Sequence, residues 1–283
     1  MHTRVLIDKG DVTPVFGIDD RIFLGEGLFE TIKVDSSKPC FAALHWQRLS
    51  HSARQLGIPF DLSLDDWCEH LIQQIRRDNL YHGGIKAILS GGSAPRGLAE
   101  RGQVSQLIFQ TFNYHILNHP IRLISTSWLR DAANPIYQLK TVNYLEAILA
   151  RRQALTLGAD DALFFNQQHF ATETTCANLF LIKDNQLITP PQEHGVLPGI
   201  TRSRIFSLCQ EHNISCIEKG VTKVMIEEAD AVFISNSLQG IRAVLAVDQV
   251  IFEVAHPLIE QLISLLSFDE LNNTKKQNSY AGE

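Results

Sequence analysis

The chain has 283 residues, of which 45% are hydrophobic and 20% charged, and its net charge is −6. That is enough for one large or two medium globular domains, and a negative charge without a lysine–arginine cluster argues against a nucleic-acid binder. No run of roughly 18 apolar residues predicts a membrane span. The start MHTRVLIDKGDVTP lacks the apolar core of a secretion signal. Five scattered cysteines (Cys40, Cys68, Cys176, Cys209, Cys216) fit a reduced, cytoplasmic protein better than a disulfide framework, and no C-x-x-C pair or zinc-like histidine spacing points to a metal.

In chain order, 21–34 reads as two apolar strands with a close-packed turn at Gly25 and Gly27. Helical spacing of Leu44, Leu49, Ala53 and Leu56 predicts a helix over 45–56, stopped by Gly57. A second helix over 64–79 lines Leu64, Trp67, Cys68, Leu71, Ile72 and Ile75 on one face. Strands are expected at 84–90 and 104–111, around the glycine-rich loop GGSAPRGLAERG. A linker is expected at 116–120, because composition shifts there and Pro120 stops pairing. Beyond it come a strand at 121–127, a helix at 143–158, and two hairpins: 162–166 with 170–174, and 178–182 with 186–189, the latter turning at Asp184–Asn185. The loop 190–199 leads into a helix at 200–212. Strands at 231–235 and 243–247 and an apolar helix at 257–268 follow, and 271–283 reads as a polar, disordered tail.

Three pieces suggest an anion site. Gly199 just before a helix at Ile200 and Thr201 leaves backbone N–H groups free at a positive dipole end. Ser235, Asn236 and Ser237 follow a buried-type strand, and Arg48 sits within HWQRL on a helix. Lys140 precedes a helix, and a lysine in a perturbed environment can form a Schiff base. Glu173, in ATETTCANLF, could pair with a protonated pyridine nitrogen. Each also reads as ordinary structure when taken singly: a cap, a strand end, a solvated arginine, a surface lysine, an exposed strand carboxylate.

Together these residues resemble a known superfamily, the class IV (fold-type IV) pyridoxal phosphate enzymes. The resemblance runs from about Gly17 to Val247, through DDRIFLGEGLFETIKV, HWQRLSHSARQLGI, LKTVNYLEAILARRQALTLGADDALFFN, TETTCANLFLI and LITPPQEHGVLPGITRSRI. It implies an α+β fold of two domains, a smaller α/β one over 1–115 and a larger pseudo-barrel one over 121–270, with the cofactor in the cleft between them. It implies pyridoxal 5'-phosphate as cofactor and a homodimer as the assembly. Residue by residue, Lys140 matches the lysine that carries the cofactor and shuttles protons, Glu173 the partner of the ring nitrogen, and Arg48 the arginine on the phosphate. Ile200 and Thr201 match the amides on that phosphate, with the Thr201 hydroxyl as an extra donor. Ser237 and the Leu238 backbone fall at the segment completing the phosphate cup, and Asn178 matches an asparagine near the cofactor.

Within the superfamily, GEGLFETIKV and LSGGSAPRGL are most similar to the 4-amino-4-deoxychorismate lyases, which yield 4-aminobenzoate and pyruvate on the way to folate. Thr31 and Arg96 are then the substrate residues, Arg96 as a bidentate carboxylate partner. Gly91 and Leu98 depart from the lyase pattern, where an arginine and a tyrosine are common. The alternatives are an aminotransferase for branched-chain or D-amino acids and a non-catalytic cofactor-binding protein. The absence of an arginine–x–histidine trap at Arg96–Leu98 argues against the D-amino-acid group. The presence of both Lys140 and Glu173 argues against the non-catalytic reading.

Overall fold

A computed structural model describes residues 2–7, 16–117 and 119–276. The chain divides into two compact units: one holds Met1–His115, Lys140–Asn143 and the chain from Glu270, the other Ile116–Leu139 and Tyr144–Asp269.

The first unit contains β1 (His2–Ile7), a 3-10 turn (Arg21–Leu24), β2 (Gly27–Asp35), β3 (Lys38–Pro39), α1 (Ala42–Leu56), α2 (Leu64–Arg77), β4 (Gly83–Ser90) and β5 (Val104–Phe112). Its sheet runs β1-β5-β4-β2-β3, antiparallel except for β1 beside β5. Side chains alternate along β2. Leu28, Ile32 and Val34 are buried on one face with Ile85, Ala87 and Leu89 of β4, while Thr31 and Lys33 on the other are only half-buried. The helices belong to the apolar face. Glu30 of that face bonds to α1, and Trp67 of α2 stacks 5.3 Å from Phe109 while donating its indole N–H to Ala42 of α1. α2 starts where the Ser63 hydroxyl accepts the Asp66 amide at 3.1 Å, with Asp65 and Asp66 in its first turn and Arg76 and Arg77 in its last, matching the helix dipole.

The second unit contains β6 (Ile121–Arg130), a 3-10 turn (Pro135–Gln138), α3 (Leu145–Thr156), β7 (Asp161–Asn166), β8 (Ala171–Thr174), β9 (Asn178–Lys183), β10 (Gln186–Thr189), a further 3-10 turn (Gln192–His194), α4 (Ile200–Glu211), β11 (Cys216–Glu218), α5 (Lys223–Glu227), β12 (Ala231–Asn236), β13 (Gly240–Val247) and β14 (Val250–Ile251). Most of α6 (Pro257–Lys276) also belongs here. The strand order is β11-β10-β9-β12-β13-β6-β7-β8, with β14 on β13, and β8 pairs again with β9 through Glu173↔Asn178. That last pairing closes β9-β12-β13-β6-β7-β8 into a ring. Leu163, Leu179, Leu181, Val232 and Val244 share one buried cluster, and Phe180, Phe233, Ile205 and Leu262 share another that includes residues of α4 and α6. Continuous apolar runs in β7, β9 and β12 reflect strands buried on both faces.

Three local expectations are corrected. Arg21–Leu24 is a 3-10 turn and not a strand: the Asp20 carboxylate accepts the Ile22 amide at 2.9 Å, and Gly25 ends the turn in the left-handed region. The helix expected from Asn143 begins at Leu145. The tail expected to be disordered from Leu271 is helical as far as Lys276. Glu270 meets Lys33 at 2.7 Å, and Asn273 Oδ1 accepts the Phe41 amide at 3.0 Å. Residues 277–283 lie outside the described residues.

Candidate active site

Lys140 is held by backbone pairing. The Phe29 amide donates to the Lys140 carbonyl at 2.9 Å and the Val142 amide to the Gly27 carbonyl at 3.0 Å, with Leu28↔Thr141 as the bridge between them. Residues 140–142 thus act as an added antiparallel strand at the start of β2. Asn143 locks the register by donating Nδ2 to the Gly25 carbonyl at 2.8 Å. Gly25 has φ +83, and a Cβ there would stand 2.0 Å from the Asn143 side-chain oxygen, so glycine is required both by conformation and by space.

This pairing brings Lys140 to the half-exposed face of the first sheet. Its Nζ stands 4.3 Å from the Phe29 ring centroid, and Lys86 Nζ stands 4.8 Å from the same ring. Lys86 lies opposite Thr31 in the β2–β4 register. Burial and the neighbouring Lys140 charge push the Lys86 amine below the ordinary lysine range. Sequence reasoning passed over Lys86. A lone lysine in the apolar run of β4 was the available signal, but only strand register shows that it shares a face with Thr31.

Arg48 of α1 is fixed by a buried carboxylate. Arg48 Nε donates to Glu30 Oε1 at 2.7 Å and its Nη2 to Glu30 Oε2, while His45 Nδ1 stands 2.6 Å from that same oxygen. Burial works against the Glu30 charge, but Arg48 and His45 outweigh it and hold the carboxyl down at about 2. His45 is pushed below its ordinary value by burial, against the pull of Glu30 and with the help of Arg48 and Lys140. Lys140 and Arg48 therefore act electrostatically on the same imidazole. Arg96 is exposed. The loop around it is pinned by buried Arg21, whose guanidinium donates to the Gly97 and Glu100 carbonyls. No side chain fits at Gly91, where a Cβ would meet the Glu26 carbonyl at 2.8 Å. The arginine usual there in lyases has no room.

In the second unit the predicted residues gather around the ring closure. Glu173 Oε2 accepts the Leu197 amide at 3.1 Å, and Glu173 Oε1 meets Arg130 Nη1 at 3.2 Å. Asn178 bridges by donating Nδ2 to the Leu197 carbonyl at 3.0 Å and to Glu173 at 3.5 Å. Its oxygen occupies the space over Gly199, where a Cβ would lie 1.9 Å away, so Gly199 must be glycine for α4 to approach. α4 then starts with no side-chain cap, leaving the Ile200 and Thr201 amides at an open positive helix end. Ser235 pairs with Asn178 in register, which brings the end of β12 and the Ser237 turn beside the same asparagine. The expected Leu238 contribution changes: its amide donates to Asn236 Oδ1 at 3.1 Å, and the Gln239 amide to the same oxygen at 2.8 Å. The turn consumes the donor assigned to the phosphate.

The uncapped α4 start, the hydroxyls of Thr201 and Ser237, a salt-bridged carboxylate and a lysine beside a sheet face form the donor set that a phosphorylated pyridine aldehyde needs. Among the described residues no group of histidine, cysteine or acidic side chains could hold a metal ion. The model of the amino-transferase class IV family matches residues 27–247. The chain belongs to this family. It is accordingly an enzyme that uses pyridoxal 5'-phosphate. The branched-chain-amino-acid aminotransferase of Escherichia coli is 30% identical over 213 residues, 72% of this chain and 69% of the relative. A Legionella pneumophila protein named "Putative 4-amino-4-deoxychorismate lyase" is 70% identical over 95% of this chain and 100% of its own, with TM-score 0.93. The 4-amino-4-deoxychorismate lyase of Pseudomonas aeruginosa is 25% identical over 92% of this chain and 97% of its own, with TM-score 0.79.

Two outcomes are expected. Arg48→Ala should weaken cofactor retention roughly ten- to a hundredfold, the value of a lost charge-assisted hydrogen bond; unchanged retention on dialysis would contradict the phosphate assignment. The buried network also sets an acid limit. Glu30 has a depressed folded pKa, so its stabilisation is present above the ordinary value of 4.5 and lost as pH falls toward about 2. His45 is depressed too, so its unfolded form takes up a proton first, and stability starts to fall as pH drops below the ordinary 6.5. Denaturant unfolding across pH should show His45→Asn, which keeps a donor for Glu30, losing the earlier slope and retaining the later one. Parallel wild-type and variant curves would contradict this.

Proposed function

We propose that this chain is an aminodeoxychorismate lyase, converting 4-amino-4-deoxychorismate to 4-aminobenzoate and pyruvate in the folate pathway. The observation that carries the reading is the 70% identity, over nearly the whole of both chains, to the Legionella protein of that name. The first unit supplies a physical reason to prefer it. A substrate with two carboxylates needs cations, and Lys86 stands opposite Thr31 on the face that holds Lys140. Lys86 replaces the cation that Gly91 cannot provide, and Arg96 serves as the second carboxylate partner.

The cofactor, when bound, supplies an electron sink for charge left at the amine-bearing carbon. Glu173 holds the ring nitrogen, while Arg48, the Ile200 and Thr201 amides and Ser237 hold the phosphate. Asn178 positions Glu173 and Gly199. The Lys140 amine takes the proton from the amine-bearing ring carbon as the bond to the enolpyruvyl oxygen breaks. The ring becomes aromatic, and a proton delivered to the methylene of the departing enol yields pyruvate. Phe29 keeps one side of that amine apolar, which favours its uncharged, proton-accepting form.

A second reading, transamination of branched-chain amino acids, is supported by the named aminotransferase at 30% identity. It differs only in where Lys140 returns its proton. We also propose a homodimer in the cytoplasm. Leu145, Ile148, Leu149 and Leu155 are exposed on α3, an apolar stripe that a second copy would cover. The described residues contain no helix able to cross a membrane, and the five cysteines are free.

Purified enzyme incubated with 4-amino-4-deoxychorismate, made in situ from chorismate and glutamine, should release 4-aminobenzoate and pyruvate. Lys86→Met should raise KM roughly tenfold or more, as for a lost charge-assisted contact. Release no faster than in buffer, beside clear transamination of branched-chain amino acids with 2-oxoglutarate, would overturn the lyase reading. In sedimentation the wild type should run as a dimer and Leu149→Glu as a monomer; a monomeric wild type removes the α3 argument.

A further inference from the structure

Arg130, at the end of β6, has no part in the chemistry above, yet it is one of the most confined cations of the second unit. Its side chain is 6% exposed and divides its donors between two carboxylates. Nε meets Glu146 Oε2 at 2.9 Å and Nη1 meets Glu173 Oε1 at 3.2 Å. The guanidinium carbon lies 3.5 Å from the Phe164 ring centroid and 4.7 Å from that of Tyr137. Stacking on two rings fixes the plane of the guanidinium, and a fixed plane fixes the direction of every N–H. Tyr137 also reaches Glu146 with its hydroxyl at 3.4 Å, so the second carboxylate is tied from two sides.

We infer that Arg130 is a positioning residue for Glu173: held between Phe164, Tyr137 and Glu146, it sets the orientation and local charge of the carboxylate that faces the ring nitrogen of the cofactor. The inference rests on the reading of Glu173 as the ring-nitrogen partner. Glu173 sits where β8 turns into β9, and its other oxygen takes the Leu197 amide. The two anchors fix its two oxygens separately, so the carboxylate cannot rotate about its terminal bond without losing one of them. Without the guanidinium, Glu146 and Glu173 would face each other with no cation between them. A carboxylate in that position is driven toward its neutral form, which does not support a protonated ring nitrogen. Lysine keeps the charge but presents it as a point on a flexible stem. It can neither stack on two rings nor bridge two acids in fixed directions.

A double-mutant cycle tests this through Glu173. In cofactor-loaded enzyme, Arg130→Lys should lower kcat roughly ten- to a hundredfold, the usual cost of losing an outer-shell partner. KM and cofactor affinity should stay close to wild type, and the pH titration of the visible cofactor absorbance should shift. Glu173→Gln should produce a larger effect of the same kind. In the Glu173→Gln background Arg130→Lys should add nothing, because the path through Glu173 is already cut. Arg130→Ala/Glu146→Gln, which leaves no surplus charge, should regain part of the turnover and of the wild-type spectrum when guanidinium ion is added. Wild-type kcat and spectrum in Arg130→Lys, or additive effects in the cycle, overturn the inference while leaving Glu173 in place. A silent Glu173→Gln overturns the reading of Glu173, and the inference falls with it. Loss of activity that tracks only a lowered Tm, with no spectral shift and no response to guanidinium, reduces Arg130 to a structural residue.

Discussion

Two backbone hydrogen bonds, Phe29 to Lys140 and Val142 to Gly27, carry more of this enzyme's chemistry than any side-chain contact. A lysine on a free loop would be one solvated amine among many. Pairing residues 140–142 with the start of β2 converts it into a strand residue of known direction, set over the Phe29 ring and close to Lys86. The Gly25–Asn143 interlock prevents that pairing from slipping by one residue, which would turn the lysine to the opposite face. The glycine–acid–glycine run is therefore read through its backbone. Its glycines make room for the segment that bears the nucleophilic amine.

The second unit solves the complementary problem with a closed ring of strands. Its last pairing joins Glu173 and Asn178, and Asn178 in turn holds the Leu197 carbonyl and limits what can stand at Gly199. One amide side chain thus coordinates the carboxylate, the loop before α4 and the open end of that helix. Rigid sheet geometry, not loop conformation, places these polar groups, which is the arrangement that holds a site most accurately. The charges follow the same economy. Arg48 is anchored on Glu30 and Glu173 on Arg130, so each functional ion has a buried or half-buried counter-ion behind it.

The family, its cofactor and the two-domain α+β class were legible because the motifs are local. HWQRL, LKTVNYL and TETTCANLF each keep their chemistry within a few residues. What escaped was set by partners distant in sequence. Lys86 and Thr31 meet only through strand register. Arg130 reaches Glu173 across 43 positions, and the end of α6 is held to Lys33 and Phe41 across 237 and 232. A polar segment read by composition alone gives no sign of such anchors, so it was taken for a disordered tail. Leu238 shows the opposite failure. The resemblance assigned its amide to a ligand, whereas Asn236, two residues before it, takes that donor for a local turn.

The membership of residues 140–143 and of the chain from Glu270 in the first unit has a bearing on biosynthesis. A nascent chain of 115 residues contains β1 to β5 and both helices of that unit, but neither the segment that pairs with Gly27 and Phe29 nor the helix end that meets Lys33. Domains usually fold in the order in which they leave the ribosome. Here the N-terminal sheet emerges first and is finished last, with part of its β2 edge unpaired until Lys140 appears and the Phe41 amide without its Asn273 acceptor until almost the whole chain has been made.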